Sequence, residues 1–396
     1  MIPQRVLTLQ QYVERIPALT PVQVYERLTS LGYRGQDTAR RAMALVAYRH
    51  VRRLHRLHVE GVPRGDVAPK PNTLMIGPTG CGKTYLVELL FQRILQLPTV
   101  VVDVTGFSET GYIGNDAVTV LTQLLNRAGD NPQFAATGIV CLDEFDKLAS
   151  QSNQARFDGE GSTKDVSGLG VQKELLRMME AGEMPVPLDN NNSAYSGKVT
   201  MRTDDVTFIA CGAFSGFKSI ASNRGGQSRV GFLSEPKAKQ HESIAARYDE
   251  SDLAQIENFQ TYGFLPELMG RFSRIVPLTP LSRETLREIL HDNVIHQFER
   301  EFEDEGLALD VSEAVVERVV DLALERQTGA RGLTAIMTQM LEDAAFETFG
   351  TTSGTVAVTL NNGELAVDVT AKKPRRTKRK PAPSPAPAKA KSPKPK

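Results

Sequence analysis

The chain has 396 residues, 40% of them hydrophobic and 24% charged, with three cysteines. At roughly 150 residues per domain this predicts two or three domains with a sizeable core. No apolar run approaches the ~20 residues that span a bilayer, and the amino-terminal MIPQRVLTLQQYVERIP has neither a secretory apolar core nor a small-residue cleavage site. The expectation is a cytoplasmic protein without a membrane segment. Cys81, Cys141 and Cys211 are scattered and form no CxxC pair, which argues against a disulfide framework and against zinc.

A formal net charge of zero hides an uneven distribution. Residues 371–396 hold eleven Lys and Arg and no acid, which leaves 36 basic against 47 acidic groups in residues 1–370. Whole-chain charge therefore supports no argument for nucleic-acid binding.

Residues 1–65 read as a helical segment leading into the first domain. From Asp37 to about Glu60, Met43, Val46, Ala47, Val51 and Leu54 recur at helical spacing. Arg40, Arg41, Arg49, Arg52, Arg53 and Arg56 occupy the other faces, and read as a solvated surface rather than a DNA contact. Residues 61–71 are a loop by their Gly and Pro content.

Across residues 66–279, short apolar runs at 73–76, 100–104, 139–142 and 206–211 alternate with helical patterns at 85–95, 118–127 and 171–180. This rhythm of βαβ units predicts an α/β fold with a parallel sheet. Residues 280–370 predict a smaller α+β domain. Ser282 can cap a helix that Gly306 ends, two helices follow near 312–325 and 332–348, and a hairpin turns at Asn361-Asn362-Gly363. Residues 371–396, rich in Lys, Arg, Pro and Ala, are predicted to be disordered.

Between the first strand and the first helix of that alternation runs GPTGCGKT: Gly77, Pro78, Thr79, Gly80, Cys81, Gly82, Lys83 and Thr84, followed by Tyr85. A glycine-rich turn in this context lets backbone N–H groups close around phosphate oxygens. Lys83 would reach the β and γ phosphates, and the Thr84 hydroxyl would bind Mg²⁺. Asp143 and Glu144 end a second apolar strand, 59 residues after Thr84. Alone, such a pair reads as a helix cap. Together with the glycine-rich loop it indicates ATP hydrolysis, with Asp143 on the Mg²⁺ and Glu144 suited to deprotonate the attacking water.

Further segments stand in a telling order: GYRGQDTARRAM at residues 32–43, FSETGYIGNDAVTVL at 107–121, DVSGLGVQKELLRMMEAG at 165–182, FLPELMGRF at 264–272 and TGARGL at 328–333. With the nucleotide motifs they resemble the AAA+ family of ATPases and, within it, the ClpX protein unfoldases, from about residue 18 to residue 369. The resemblance implies an AAA+ P-loop NTPase domain, a small domain, and a ring homo-hexamer with ATP bound between subunits. Arg271 would be the finger that reaches a neighbour's γ-phosphate, and Arg331 would contact the phosphates. Tyr112, among Gly111, Ile113 and Gly114, would grip a protein substrate in the central pore; an aromatic side chain on mobile backbone offers sequence-tolerant contact. Val230, Gly231 and Phe232 occupy the place of a loop that docks on a ClpP-like peptidase.

Departures from the ClpX pattern are also visible. No cysteine precedes Arg34, so the family's amino-terminal zinc-binding domain is not expected. Residues 182–201 lack an Arg-Lys-His cluster associated with tag entry, and Leu169 stands where a Glu is expected; the strand at 206–211 ends without the Asn common in AAA+ proteins, a trait that the resemblance implies it shares with ClpX. The expected function is an ATP-dependent protein unfoldase and translocase feeding a ClpP-like peptidase. The alternatives are a stand-alone remodelling chaperone, or a nucleic-acid-associated AAA+ ATPase that uses its basic tail on nucleic acid or another polyanion.

Overall fold

Four residues in succession with no exposed side chain form β1, Thr73–Ile76, and set the pattern for the sheet built around it. The computed structural model describes residues 7–107, 118–149, 166–180, 182–188, 197–217, 256–350, 353–361 and 364–372. By its contacts the chain divides into two units, one of residues 1–294 with 316–337 and one of residues 295–315 with 338–396.

In the first unit, β1 is followed by β2 (Thr99–Asp103), β3 (Ile139–Asp143), β4 (Glu183–Pro187), β5 (Lys198–Arg202), β6 (Thr207–Gly212) and β7 (Arg274–Pro277). Five of these form a sheet of order β2-β3-β6-β1-β7, parallel throughout. The α/β expectation with a parallel sheet is thus met, and its four predicted strands lie within one residue of those observed. Not foreseen were β7 and the antiparallel β4–β5 hairpin.

Alternate residues of each strand point to opposite faces, and both faces are buried, as parallel sheets require. Leu74, Ile76, Val140, Leu142, Phe208 and Ala210 join one layer with Leu121 and Leu124 of helix Thr119–Arg127 and Leu175 and Met178 of helix Val166–Glu180. Met75, Ile139, Cys141, Ile209 and Cys211 join the other, with Met43, Val46 and Leu54 of helix Asp37–His58 and Leu86 and Leu90 beyond Lys83.

The arginines of helix Asp37–His58 do not form one solvated face. Arg40 is buried: its guanidinium donates to Thr29 Oγ1 (2.9 Å) and Tyr25 Oη (2.9 Å), pairs with Asp37, and lies over the Tyr25 ring. Arg53 reaches the buried Asp205, which also accepts two bonds from Arg64 (2.8 and 2.7 Å) and one from His58 (3.1 Å). Burial alone would raise the Asp205 pKa, but these donors and the arginine charges overcome it and hold the carboxyl well below its usual range. For Arg53 the partner lies 152 residues away in sequence, which spacing within the helix could not reveal.

In the second unit, β8 (Leu307–Val311), β9 (Ser353–Asn361) and β10 (Glu364–Lys372) make a sheet of order β10-β9-β8. The predicted hairpin is the antiparallel β9–β10 pair, and β8 adds a parallel strand. Phe302 of helix His296–Asp304 meets Phe349 edge to face, and Leu307, Val356 and Val358 are buried. β10 continues through Lys372, so its last two residues fall within the predicted tail.

Candidate active site

The candidate nucleotide-site residues Gly77–Thr84, Asp143 and Glu144 converge at the carboxyl ends of the parallel strands. After β1 the chain crosses toward β2 on one side, whereas after β6 it crosses toward β7 on the other. Such a reversal opens a crevice beyond the strand ends, where open α/β sheets bind ligands. Gly77 leaves β1 with its N–H donating to the carbonyl of Gly212 at the end of β6 (3.1 Å).

Two glycines of the loop are required by their surroundings. Gly80 has φ +76°, and a Cβ there would lie 2.5 Å from the Thr328 carbonyl oxygen. Gly82 has φ +95°, with the Tyr33 hydroxyl 3.0 Å from where a Cβ would stand. Left-handed backbone in close contact admits glycine at low cost. Tyr33 itself donates to the Gly82 carbonyl (3.2 Å) and stacks on the exposed Tyr85 ring; burial pushes its phenol strongly up.

Lys83 starts the helix beyond the loop and is buried, an unusual setting for an ammonium. Its Nζ donates to the carbonyls of Gly77 (2.7 Å) and Pro78 (2.9 Å), so the cation sits beneath the loop. Thr79 is exposed at the tip. Cys81 is buried, and burial raises its thiol despite the charge of Lys83 nearby.

Thr84 Oγ1 donates to Asp143 Oδ2 at 2.8 Å, across 59 positions of sequence. The other Asp143 oxygen accepts from the Glu144 N–H (3.0 Å). Glu144 has φ +54°, a left-handed conformation that costs a non-glycine residue about 1 kcal/mol or more and persists only where neighbours impose it. Two hydrogen bonds and a buried side chain do so beside the Asp143 bond. Lys147 N–H donates to the Glu144 carbonyl (2.9 Å), Phe145 is fully buried, and the buried Asp146 accepts from the Ala213 N–H (3.0 Å) just past β6. Asp146 was not singled out by the sequence: a third acid beside an acid pair reads as more of the same cap.

Gln36 was also missed. Its carboxamide donates to the Thr279 carbonyl (2.6 Å) and accepts from the Thr279 N–H (3.1 Å), pairing with that residue as a strand neighbour would. Arg331 lies in the first turn of helix Gly329–Thr348 with its side chain exposed. That turn rests on the loop, because the Ala330 N–H donates to the Gly80 carbonyl (3.1 Å).

Arg271 is not brought to this cluster. Its carbonyl accepts from Asn72 Nδ2 (3.2 Å), and Asn72 immediately precedes β1 whereas Gly77 follows it. Five residue steps at about 3.3 Å each put these points roughly 16 Å apart along the strand. The half-exposed Arg271 guanidinium pairs instead with Glu180. Gly111, Tyr112, Ile113 and Gly114, and likewise Val230, Gly231 and Phe232, lie outside the described residues.

Residues 68–275 match the AAA domain (Cdc48 subfamily), and residues 281–351 match the C-terminal, D2-small domain of ClpB protein. Over 329 residues the chain is 36% identical to the "ATP-dependent Clp protease ATP-binding subunit ClpX 3" of Methylococcus capsulatus (strain Bath), covering 79% of this chain and 73% of that protein. The chain belongs to the ClpX-type AAA+ ATPases. Subunits named ClpX from Azotobacter vinelandii and Bacteroides thetaiotaomicron are each 34% identical, over 83% and 79% of this chain and 74% and 73% of their own length. As a member of this family the protein is an ATP-hydrolysing enzyme. Among the described residues no helix is long and apolar enough to cross a membrane.

Proposed function

We propose that this AAA+ ATPase unfolds proteins and threads them through the pore of a homo-hexameric ring, with each ATP bound where two copies meet. Unfolding is carried over from the ClpX-type family to which the chain belongs, and the observation that supports a site shared between copies is the separation of Arg271 from Lys83 and Thr84 along β1. One copy holds a phosphate loop at one end of its sheet and an arginine suited to phosphoryl transfer at the other. A second copy's Arg271 can complete the site that the first cannot complete alone.

In this reading Lys83 and the loop N–H groups bind the β and γ phosphates, and Arg331 adds a cation from the helix that rests on Gly80. The Thr84 hydroxyl and Asp143 carboxylate, 2.8 Å apart, are hard oxygen donors of the kind Mg²⁺ takes. When bound, the ion would neutralise phosphate charge during transfer. Glu144 orients and deprotonates the attacking water, from a backbone position that the turn holds at the end of β3. Arg271 of the adjoining copy stabilises the charge that develops on the γ-phosphoryl group.

Residues 66–279 act as the nucleotide-binding domain and 280–370 as the small domain. Tyr112 grips the substrate. Three of its relatives are named as ATP-binding subunits of a Clp protease, which favours a peptidase partner held through Val230, Gly231 and Phe232. The arginine-rich helix adds no support to the nucleic-acid reading, because Arg40 and Arg53 are engaged within the fold. Two measurements test the proposal: the mass of the assembly in ATP, and mass spectrometry of proteins retained by a Glu144→Gln ring. A particle of one or two subunits in ATP, retaining no polypeptide, would end it.

A further inference from the structure

Phe145 follows Glu144 and is fully buried, and its ring lies against two others. It stacks on Phe264 with centroids 5.1 Å apart and meets Phe272 edge to face at 5.5 Å. Phe264 opens the segment that ends in Arg271-Phe272, so the residue after the candidate base touches both ends of the segment carrying the candidate finger. Aromatic pairs in these orientations contribute beyond their buried area.

A polar link runs beside the apolar one. Gln172, fully buried in helix Val166–Glu180, donates from Nε2 to the Leu148 carbonyl (2.7 Å) and the Gly263 carbonyl (3.1 Å), and accepts from the Leu265 N–H (2.8 Å). Leu148 ends the turn that starts at Glu144; Gly263 and Leu265 flank Phe264. One carboxamide thus satisfies backbone groups of both segments, so moving either segment alone would leave some of these groups without their present partner. Gly168 brings the first turn of the same helix close to Leu148: a Cβ there would lie 3.0 Å from its carbonyl oxygen. At the helix's last residue, Glu180 pairs with Arg271.

Packed interiors shift between discrete arrangements rather than deforming continuously. A turn clamped to the finger segment by ring contacts and by one shared amide cannot rearrange without moving that segment. We infer that Phe145 and Gln172 are positioning residues that tie the catalytic turn of one subunit to the Arg271 it presents to the next subunit. The inference rests on the proposed action of Arg271 in trans.

The test separates the two. Wild-type subunits are mixed with an excess of Glu144→Gln subunits, whose own turnover is lower by about a hundredfold or more and is subtracted, but which supply fingers to wild-type neighbours. ATP turnover per wild-type subunit is then compared for four versions of the Glu144→Gln carrier: unaltered, with Arg271→Ala, with Phe145→Leu, and with Phe302→Leu. The last makes the same change at a buried ring in the second unit, outside both links. Co-assembly is checked by sedimentation velocity, and carrier folding by thermal unfolding. The inference predicts that Phe145→Leu lowers kcat of the wild-type neighbours by about threefold or more with little change in KM, that Phe302→Leu does not, and that Arg271→Ala lowers it further. If Arg271→Ala acts and Phe145→Leu does not, the inference fails and the finger stands. If Arg271→Ala has no effect, both fall. A Gln172→Asn carrier, too short to reach all three partners, gives a second reading if Phe145→Leu does not fold, with the same outcomes for and against.

Discussion

Thr84 and Asp143, 59 residues apart in sequence, meet through a 2.8 Å hydrogen bond that joins the phosphate loop to the end of β3. The bond places a hydroxyl and a carboxylate where one metal ion could bridge them. It also holds the turn in which Glu144 takes its left-handed conformation, since the second Asp143 oxygen bonds the Glu144 N–H.

Glu144→Gln keeps the shape of the turn and every candidate phosphate contact, so ATP binding should persist while turnover falls by roughly 10²- to 10⁴-fold, the usual contribution of a positioned base. Lys83→Ala should instead weaken binding by about tenfold or more, or roughly 1.4 kcal/mol. Fluorescent-nucleotide titration beside steady-state phosphate release distinguishes them. Normal turnover in Glu144→Gln would remove the assignment of the base.

Arg271→Ala should lose about 10³-fold or more in kcat, the scale expected of an arginine finger. Mixing Arg271→Ala subunits with Glu144→Gln subunits should restore part of the activity, through interfaces that pair an intact Glu144 with an intact Arg271. The check is ATP turnover across a titration of the two proteins. Flat, inactive mixtures despite demonstrated co-assembly would count against a shared site.

Much of this was legible in the sequence, for stated reasons. The central strands are continuous apolar runs because both their faces are buried, and the glycine-rich loop and the acid pair stand out because phosphate chemistry restricts the residues that suffice. β7 was hidden: it has four residues, begins with Arg and ends with Pro277, which an edge strand tolerates because its outer side needs no donor. The β4–β5 hairpin carries Pro185 and Pro187, which break the usual strand signal. Gln172 looked like one more polar residue of a helix, because Leu148, Gly263 and Leu265 are its neighbours only in space. The fate of Arg53 was hidden for the same reason, its partner Asp205 being 152 residues away in sequence.

Acid should destabilise the protein through His50. This residue is fully buried, bonds the Thr137 carbonyl and the Thr207 hydroxyl (both 2.9 Å), and has its pKa lowered by burial to about 4 from an ordinary 6.5. Between those values the unfolded chain binds more protons than the folded one, so stability is complete above pH 6.5 and falls as pH drops toward 4. At about 1.4 kcal/mol per unit the loss reaches roughly 3 kcal/mol. Thermal unfolding from pH 7 to 4.5 should show this slope in the wild type and a flatter one in His50→Gln; equal slopes would contradict it. Asp205, whose pKa is depressed, contributes in a separate window, because its stabilisation is lost only as pH falls below the ordinary carboxylate range.

Deleting Val230, Gly231 and Phe232 should abolish ATP-dependent association with a ClpP-like peptidase while ATP hydrolysis and unfolding continue. Six weak loops acting together would give firm attachment, so loss should be steep rather than graded when deleted and intact subunits are mixed. Pull-down in ATP with the peptidase of the same cell is the assay. No association of the intact protein would favour a remodeller that works without a peptidase.

The central claim, that ATP hydrolysis in this ring pulls on polypeptide, is tested most directly by following ATP turnover and the fluorescence of a stably folded fluorescent protein bearing an unstructured tail, in parallel, for the wild type and Tyr112→Ala. The account predicts that the wild type hydrolyses ATP and extinguishes the fluorescence, and that Tyr112→Ala keeps most of its ATPase activity while unfolding falls by about tenfold or more, a loss of roughly 1.4 kcal/mol in grip. Unfolding by Tyr112→Ala at the wild-type rate would contradict it.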